Sequence, residues 1–243
     1  MTNNKSVKEL NVDQQILQLS QEICDLTPEK TDLPLRVIRA LIANDEIQAM
    51  QDYANSVSIT RLGFNDHGPV HMRTVCRNSL RMLKILYKAG IKTSLVNEKC
   101  GSFDDSTTAV ILASFLHDLG MTVGRQDHEL YSGIMAYSII NDILNQVLPG
   151  DEYIRRRVVI RSMAMEGILG HMGSRKIHSI EAGLILIADG CDMTKGRARI
   201  PMELNTKPSV GDIHKYSANS NNSWNCTEPG CLFPRTRSGQ PTL

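Results

Sequence analysis

The sequence predicts an all-α fold, and three observations support this expectation. No proline occurs between Pro69 and Pro149, so this long stretch is free to form uninterrupted helices. Over residues 7–26, apolar side chains recur at the spacing of an amphipathic helix. The apolar run over residues 183–188 would also suit a buried strand, but no strand signal surrounds it, so the sequence favours a helix there too.

The first helix is predicted from its apolar spacing, and the next two are predicted from aspartates that precede apolar segments. The first helix covers residues 7–26. Asp32 precedes the second segment, which carries Pro34 in its first turn, where proline is tolerated. Asp45 precedes the third segment. Both aspartates are predicted to be helix N-caps.

The later helices are predicted from residues that typically begin or end a helix. They are expected to cover residues 69–88, 109–119, 127–148 and 151–165, with a last helix that begins at Ser179. Asp105 or Ser106 is expected to cap the second of these helices, and Gly120 is expected to stop it.

The composition changes after Tyr216. Residues 217–243 are rich in Asn, Ser, Pro and Gly and carry few aliphatic side chains. Such a segment buries too little apolar surface to offset its ordering entropy, so we expect a disordered C-terminal tail. The predicted organisation is therefore an N-terminal helical extension over residues 1–60, a main domain over residues 61–216, and the tail.

The bulk composition argues against several classes of protein. Among 243 residues, 41% are hydrophobic, which is ample for a core, and the formal net charge is +1, which indicates no polyanionic partner. Aromatic residues make up 5%, so base stacking on nucleic acid is not expected. No apolar run approaches the roughly 20 residues of a membrane span. Without a signal peptide, and with six scattered cysteines, we expect a cytoplasmic protein with reduced thiols.

Histidine and aspartate residues stand at the ends of predicted helices. His67 and His71 are four residues apart at a helix start and therefore share one face. His117 and Asp118 end an apolar helix, where a buried carboxylate is costly unless it is paired or binds a metal. Adjacent helical residues diverge by about 100°, so these two can bind one ion only over the groove between their faces. With two oxygens, Asp118 could also bridge two ions.

Three further residues extend this series. His128 stands at the next helix start, His171 lies beyond Gly167 and Gly170 in a connection predicted to be irregular, and Asp189 ends a second apolar run. Taken alone, a histidine at a helix start, such as His67 or His128, is more often a cap or a surface residue. Together, imidazoles and carboxylates suit a borderline divalent cation such as Mn, Fe, Co, Ni or Zn.

The ordered series resembles the HD superfamily of metal-dependent phosphohydrolases over about residues 61–199. The matching motifs are Arg61-Leu-Gly-Phe-Asn-Asp-His-Gly-Pro-Val-His71, Leu116-His-Asp-Leu-Gly-Met121, Arg125-Gln-Asp-His-Glu129 and Ala188-Asp-Gly-Cys-Asp-Met-Thr-Lys-Gly-Arg197. They are similar to the motifs of a prokaryotic, especially archaeal, branch of uncharacterised HD proteins. The resemblance implies an all-α HD-domain helical bundle with a metal cleft.

The resemblance also implies a role for each motif residue. The ligands of a first metal ion would be His71, His117, Asp118 and Asp189. The ligands of a second ion would be His128 and His171, with Asp118 as the bridge. The catalytic residues would be Asp118 and His67, and His67 matches the position that protonates the leaving group. The weaker candidates for binding substrate phosphate are Arg125, Lys195 and Arg197.

By the same resemblance, the chain would be a phosphohydrolase or phosphodiesterase that cleaves a phosphate ester or anhydride by metal-activated water. Its cofactor would be one or two divalent transition-metal ions, its substrate a phosphorylated small molecule such as a nucleotide, and a homodimer is one option for its assembly. The alternative is a catalytically weak HD-type regulatory module that binds nucleotides, although the complete ligand set argues against it. A metal-free scaffold would leave Asp118 and Asp189 buried without partners.

Overall fold

The computed structural model describes residues 5–28 and 31–192, and within these ranges every regular element is helical. This confirms the all-α prediction. The α-helices are α1 (Val7–Leu26), α2 (Leu33–Ile42), α3 (Asp45–Ser56), α4 (Pro69–Lys88), α5 (Ser94–Asn97), α6 (Phe103–Leu116), α7 (His128–Val147), α8 (Ile154–Gly170) and α9 (Ile180–Gly190). The shorter elements are a π-helical turn, Val57–Arg61, and two 3₁₀ turns, Leu119–Thr122 and Asp151–Tyr153.

Some sequence predictions fall outside the described residues. These are the disordered tail over residues 217–243 and the two phosphate-binding candidates Lys195 and Arg197. Within the described ranges, no helix combines the length and the apolar character that crossing a membrane requires.

Helix α6 lies at the centre of the fold, and its second half, residues 109–116, is apolar on all sides except at Ser114. Every residue of this helix except Phe103 is buried. A helix without a polar face must be surrounded by other elements, and α6 packs against α2, α4, α8 and α9. The end of α6 at Leu116 therefore brings the residues that follow it into the interior.

The predicted N-terminal extension supplies α1, α2 and α3, and these helices contribute to the same core as the later ones. A buried arginine of α4, Arg73, connects two of them. Its Nε donates to Asp13 Oδ1 of α1 at 2.8 Å, and its Nη1 donates to Gln51 Oε1 of α3 at 2.7 Å. Charge-assisted hydrogen bonds of this kind hold α1 and α3 against the helix that carries His71.

Two predicted N-caps are wrong by a few residues. Asn44, rather than Asp45, caps α3, and its Oδ1 accepts a backbone N–H from the first turn at 3.0 Å. Ser102, rather than Asp105 or Ser106, caps α6, and Asp105 closes the capping box by accepting the Ser102 N–H at 2.9 Å. In each case the true cap lies just before the first helical residue, where its oxygen can reach an N–H three residues ahead.

The apolar run over residues 183–188 is helical, as predicted, and lies in α9. Ser179 caps this helix, since its Oγ accepts the N–H of Ala182 at 3.1 Å. Helix α9 packs against α4, α6 and α8. Its last turn therefore points toward the ends of the helices that carry the predicted metal ligands.

Candidate metal centre

The end of α6 places His117 and Asp118 side by side in the interior. The sequence predicted a helix through residues 109–119, which would separate adjacent side chains by about 100°. That prediction is wrong, because α6 ends at Leu116, His117 is its C-cap, and Asp118 (φ −105°, ψ 10°) precedes a 3₁₀ turn. Since the chain leaves α-helical geometry here, the two side chains converge. His117 Nε2 lies 3.3 Å from Asp118 Oδ2.

His71 and Asp189 complete a first group of ligand atoms near Asp118 Oδ2. His71, on the first turn of α4, places its Nε2 3.3 Å from Asp118 Oδ2 and 3.2 Å from Asp189 Oδ1. Asp189 belongs to the last turn of α9. Its Oδ1 atom also lies 4.0 Å from His117 Nε2. One ligand atom from each of His71, His117 and Asp189 lies within 4.8 Å of the others, so this group can hold a metal ion.

His128 and His171 form a second group on the other side of Asp118. His128 is the first residue of α7, and His171 is the C-cap of α8. Their Nε2 atoms are 3.1 Å apart. They lie 3.3 Å and 3.4 Å, respectively, from Asp118 Oδ1. Asp118 therefore turns one carboxylate oxygen toward each group of histidines.

His171 reaches the cluster from a helix end. The connection that begins at His171 is irregular, as predicted, but the helix end predicted at residue 165 is wrong, because α8 continues through Gly167 to Gly170. A Cβ at Gly167 would lie 2.9 Å from Ala113 Cβ and 3.1 Å from Ile185 Cγ1. Glycine thus lets α8 pack closely against α6 and α9, and this packing outweighs the low helix propensity of glycine.

The outward-facing ring nitrogens show which atoms point lone pairs into the cluster. Nδ1 of His117, His128 and His171 lies 2.9, 2.9 and 2.7 Å from a backbone carbonyl oxygen. A carbonyl oxygen only accepts, so Nδ1 carries the hydrogen, and Nε2 of the neutral ring presents a lone pair. His71 Nδ1 donates in the same way to Asp192 Oδ2 at 2.7 Å. Carbonyl and carboxylate partners of this kind typically orient metal-ligating histidines.

Two features of the cluster are energetically unfavourable when no metal ion is bound. When both rings are neutral with the hydrogen on Nδ1, the Nε2 atoms of His128 and His171 face each other with their lone pairs at 3.1 Å. His117 Nε2 is buried and accepts or donates no hydrogen bond within the described part of the chain, although Asp118 Oδ2 is near. A buried polar atom without a partner costs about 1–3 kcal/mol. One cation in each group would together satisfy all three nitrogens, so the donor set fits bound metal.

Asp118 keeps its negative charge in spite of its burial. Burial raises the pKa of this carboxyl, but the positive charges that His117 and His67 carry when protonated, together with a hydrogen bond from His128, outweigh that effect. The pKa of Asp118 is therefore held well below its ordinary value of 3.8. An ionised carboxylate between two groups of imidazole nitrogens is the form that binds a cation.

His67 borders the cluster and is positioned by the π-helical turn. Its Nδ1 lies 2.8 Å from Ser58 Oγ and 2.7 Å from the carbonyl oxygen of Asn65. Ser58 belongs to the turn Val57–Arg61, and π-helical turns are frequent at functional sites. The ring centroids of His67 and His71 are 5.8 Å apart. His67 is buried next to the metal-ligand groups without joining either of them.

Arg125 is the only predicted phosphate partner that falls within the described residues, and it lies beside His67. Its Nη1 is 3.5 Å from His67 Nε2, and its Nη2 is 3.8 Å from Met172 Sδ. The guanidinium carbon lies 5.8 Å from the centroid of the Phe64 ring. A permanent positive charge therefore stands at the edge of the cluster, on the side of His67.

Sequence reasoning did not identify Asp192 or Ser58, which orient His71 and His67. Asp192 follows Asp189 by three residues, about one helical turn, so this spacing could have indicated a second carboxylate on the same side. Asp192 and His71 are 121 positions apart, however, and only the packing of α9 against α4 brings them together. No local signal distinguishes Ser58 from an ordinary helical serine.

Gly120 lets the 3₁₀ turn after Asp118 touch the start of α7. A Cβ at this position would fall on the backbone oxygen of His128 and lie 2.6 Å from the backbone nitrogen of Ser132. Backbone atoms cannot rotate away as a flexible side chain can. We expect Gly120→Ala to lower the free energy of unfolding by about 3 kcal/mol. For a domain of this size, that is a fall of roughly 6–12 °C in the thermal midpoint, measurable by calorimetry.

Gly124→Ala is the matched control for this substitution. No heavy atom of the described residues lies within 4 Å of a Cβ built at Gly124, and its φ is not in the left-handed region. We expect this variant to change the free energy of unfolding by less than about 1 kcal/mol. If Gly120→Ala were as stable as Gly124→Ala, the close contact between the turn and α7 would be wrong.

Comparisons with known proteins identify a relative but no activity. An uncharacterized protein of Methanocaldococcus jannaschii, MJ1020, is 38% identical to this chain over 188 residues, which are 77% of this chain and 70% of the archaeal protein. No family model matches the chain. No solved structure matches it either.

Proposed function

The chain belongs to the family of the archaeal protein MJ1020, and we propose that it is a metal-dependent phosphohydrolase. It cleaves a phosphate ester or anhydride of a small molecule, with nucleotides as the substrate class. The resemblance of its four motifs to the HD superfamily supports this proposal, and the chemistry of the cluster supports it independently.

The arrangement around Asp118 is the observation that carries the proposal. One oxygen of this carboxylate faces His71 and His117, and the other faces His128 and His171. A surface salt bridge or a structural hydrogen-bond network does not need two sets of imidazole lone pairs around one buried carboxylate. Two cations bridged by a carboxylate do need such a set, and paired cations are common in enzymes that displace groups at phosphorus.

The residues that would hold the metal also limit its identity. The first ion would be bound by His71, His117, Asp118 and Asp189, and the second by His128, His171 and Asp118. Imidazole and carboxylate ligands without thiolates suit Mn, Fe, Co, Ni or Zn. When bound, such cations would lower the pKa of water and offset the negative charge of phosphoryl oxygens.

His67 and Arg125 would act on the substrate from the side of the cluster. Arg125 binds a phosphoryl oxygen through its fixed N–H donors. His67 donates a proton from Nε2 to the departing oxygen, while its Nδ1 stays against the Asn65 carbonyl oxygen. Before substrate binds, the Arg125 guanidinium faces His67 Nε2 at 3.5 Å. A phosphate that draws Arg125 to itself would move the guanidinium away from His67 Nε2 and let this nitrogen face the departing oxygen.

The proposal is tested by screening the purified, metal-loaded chain against nucleoside mono-, di-, tri- and cyclic phosphates. We expect release of inorganic phosphate or of a nucleoside monophosphate from at least one class, detected by chromatography. The Asp118→Asn variant, prepared identically, serves as the control for a contaminating hydrolase. If the wild-type chain binds nucleotide but hydrolyses no member of the series, the regulatory-module alternative is favoured and the proposed activity is wrong.

A further inference from the structure

A concave site lies between α7, α8 and the connection that follows α8. Its volume is about 600 Å³, which is within the usual range of small-molecule sites. Leu169 and Gly170 line it, directly before His171 in the chain. None of the metal-ligating residues is among its lining residues. A ligand in this cavity would therefore occupy a site separate from the cluster.

The cavity is positively charged. Arg161, Arg175 and Lys176 line it, and Glu166 is the one acidic residue among its lining side chains. Two positive charges therefore remain uncompensated. Arg175 and Lys176 are exposed and form no ion pair with any described carboxylate. One carboxylate oxygen of Glu166, Oε1, already accepts a hydrogen bond from the backbone N–H of His178 at 2.6 Å. A concave surface with cations on one side attracts anions.

Arg161 is held in place before any ligand arrives. Its Nη1 donates to Asn141 Oδ1 at 2.7 Å, and its guanidinium carbon lies 4.7 Å from the centroid of the Tyr137 ring. These two contacts restrict the side chain, so less conformational entropy is lost when it binds a ligand. A guanidinium has five N–H donors, and the bond to Asn141 leaves others for an anion.

One part of the lining is apolar. Met165, Leu169 and Ile177 form this part of the surface. We propose that the cavity binds a phosphate monoester with an aromatic body, the chemistry of a nucleoside monophosphate. The dianionic phosphate would be bound by Arg161, Arg175 and Lys176, and the ring would pack against the apolar side. This inference does not depend on whether the metal cluster is a hydrolase.

The test is calorimetric titration of the full chain with adenosine monophosphate, as purified, after removal of metal with a chelator, and in the Asp118→Asn variant. We expect binding in all three samples, because the cavity shares no residue with the cluster. The double substitution Arg175→Gln and Lys176→Gln should weaken binding by about 10-fold or more. Both side chains are exposed, so this variant should fold normally. Arg155→Gln, an exposed arginine on α8 outside the cavity, is the matched control and should bind as the wild type does.

Two further titrations test the class of ligand. Inorganic phosphate and adenosine each supply only half of the proposed contacts, so each should bind more weakly than the monophosphate. Equal binding of inorganic phosphate would overturn the aromatic part of the proposal. Binding that disappears with the chelator and with Asp118→Asn, but survives Arg175→Gln with Lys176→Gln, would place the nucleotide at the cluster and overturn the cavity site. No binding in any sample would overturn it as well.

Discussion

Asp118→Asn is expected to remove most of the bound metal from the purified protein. The amide is neutral, so both pairs of imidazoles lose their negatively charged partner, and the pair that faces the NH₂ group meets a donor that cannot bind a cation. The wild type should carry about one to two equivalents of transition metal, as expected for a mononuclear or dinuclear site. The variant should bind metal at least about 100-fold more weakly, because even the outer partners of ligands contribute 10- to 100-fold. Elemental analysis of both proteins measures this difference.

Thermal unfolding supplies a second readout that needs no substrate. A cation present at about 100 times its dissociation constant stabilises the folded state by about 2.7 kcal/mol. For a domain of this size, the thermal midpoint of the wild type should therefore rise by roughly 5–11 °C when metal is added. Asp118→Asn should show little of this rise.

Asp127→Asn is the matched control for Asp118→Asn. It makes the same chemical change next to His128, but the Asp127 side chain is exposed and forms no cap hydrogen bond. Asparagine also tolerates the left-handed backbone of this position (φ 53°). We expect wild-type metal content and a wild-type thermal response. Full metal content in Asp118→Asn would contradict the assignment of this carboxylate as a ligand.

His67→Ala is expected to retain metal and to slow the proposed hydrolysis by about 10²- to 10⁴-fold, the usual contribution of a general acid. His67 contacts Ser58 and Asn65 through Nδ1 and belongs to neither group of metal ligands. The loss should be much smaller for a substrate with a nitrophenolate leaving group, because that oxygen departs without a proton. Steady-state rates on a nucleotide and on a nitrophenyl ester, with elemental analysis of the same preparation, measure both effects.

Other roles for His67 predict different results. A metal ligand would lose metal on substitution, and all substrates would be slowed equally. A structural residue would lower the thermal midpoint and leave the rate near normal. His178→Ala is the matched control, since this histidine is exposed and lies outside the cluster. A rate loss in His67→Ala that does not depend on the leaving group would rule out the acid role.

The amino-acid sequence by itself determined that the described chain is helical and where most of the helices lie. The limits of α1 and α4 are predicted almost to the residue, because caps, prolines and the 3.6-residue period act over a few neighbouring positions. The candidate ligands stand out for the same local reason: each lies at a helix end, next to polar or glycine residues. Errors in the local prediction, such as Asn44 for Asp45, arise because neighbouring polar residues compete for one cap.

Only the tertiary structure decided how those candidates are arranged. The convergence of four histidines on the two oxygens of Asp118, with Asp189 beside His71, depends on how α4, α6, α7, α8 and α9 pack around one another. Asp192 reaches His71 through the same packing. α6 ends before His117 because the buried turn must fit against α7, where Gly120 allows close contact with the His128 backbone. Side-chain periodicity reports which face of a helix is buried, whereas the meeting of atoms from five helices depends on contacts between residues far apart in the chain.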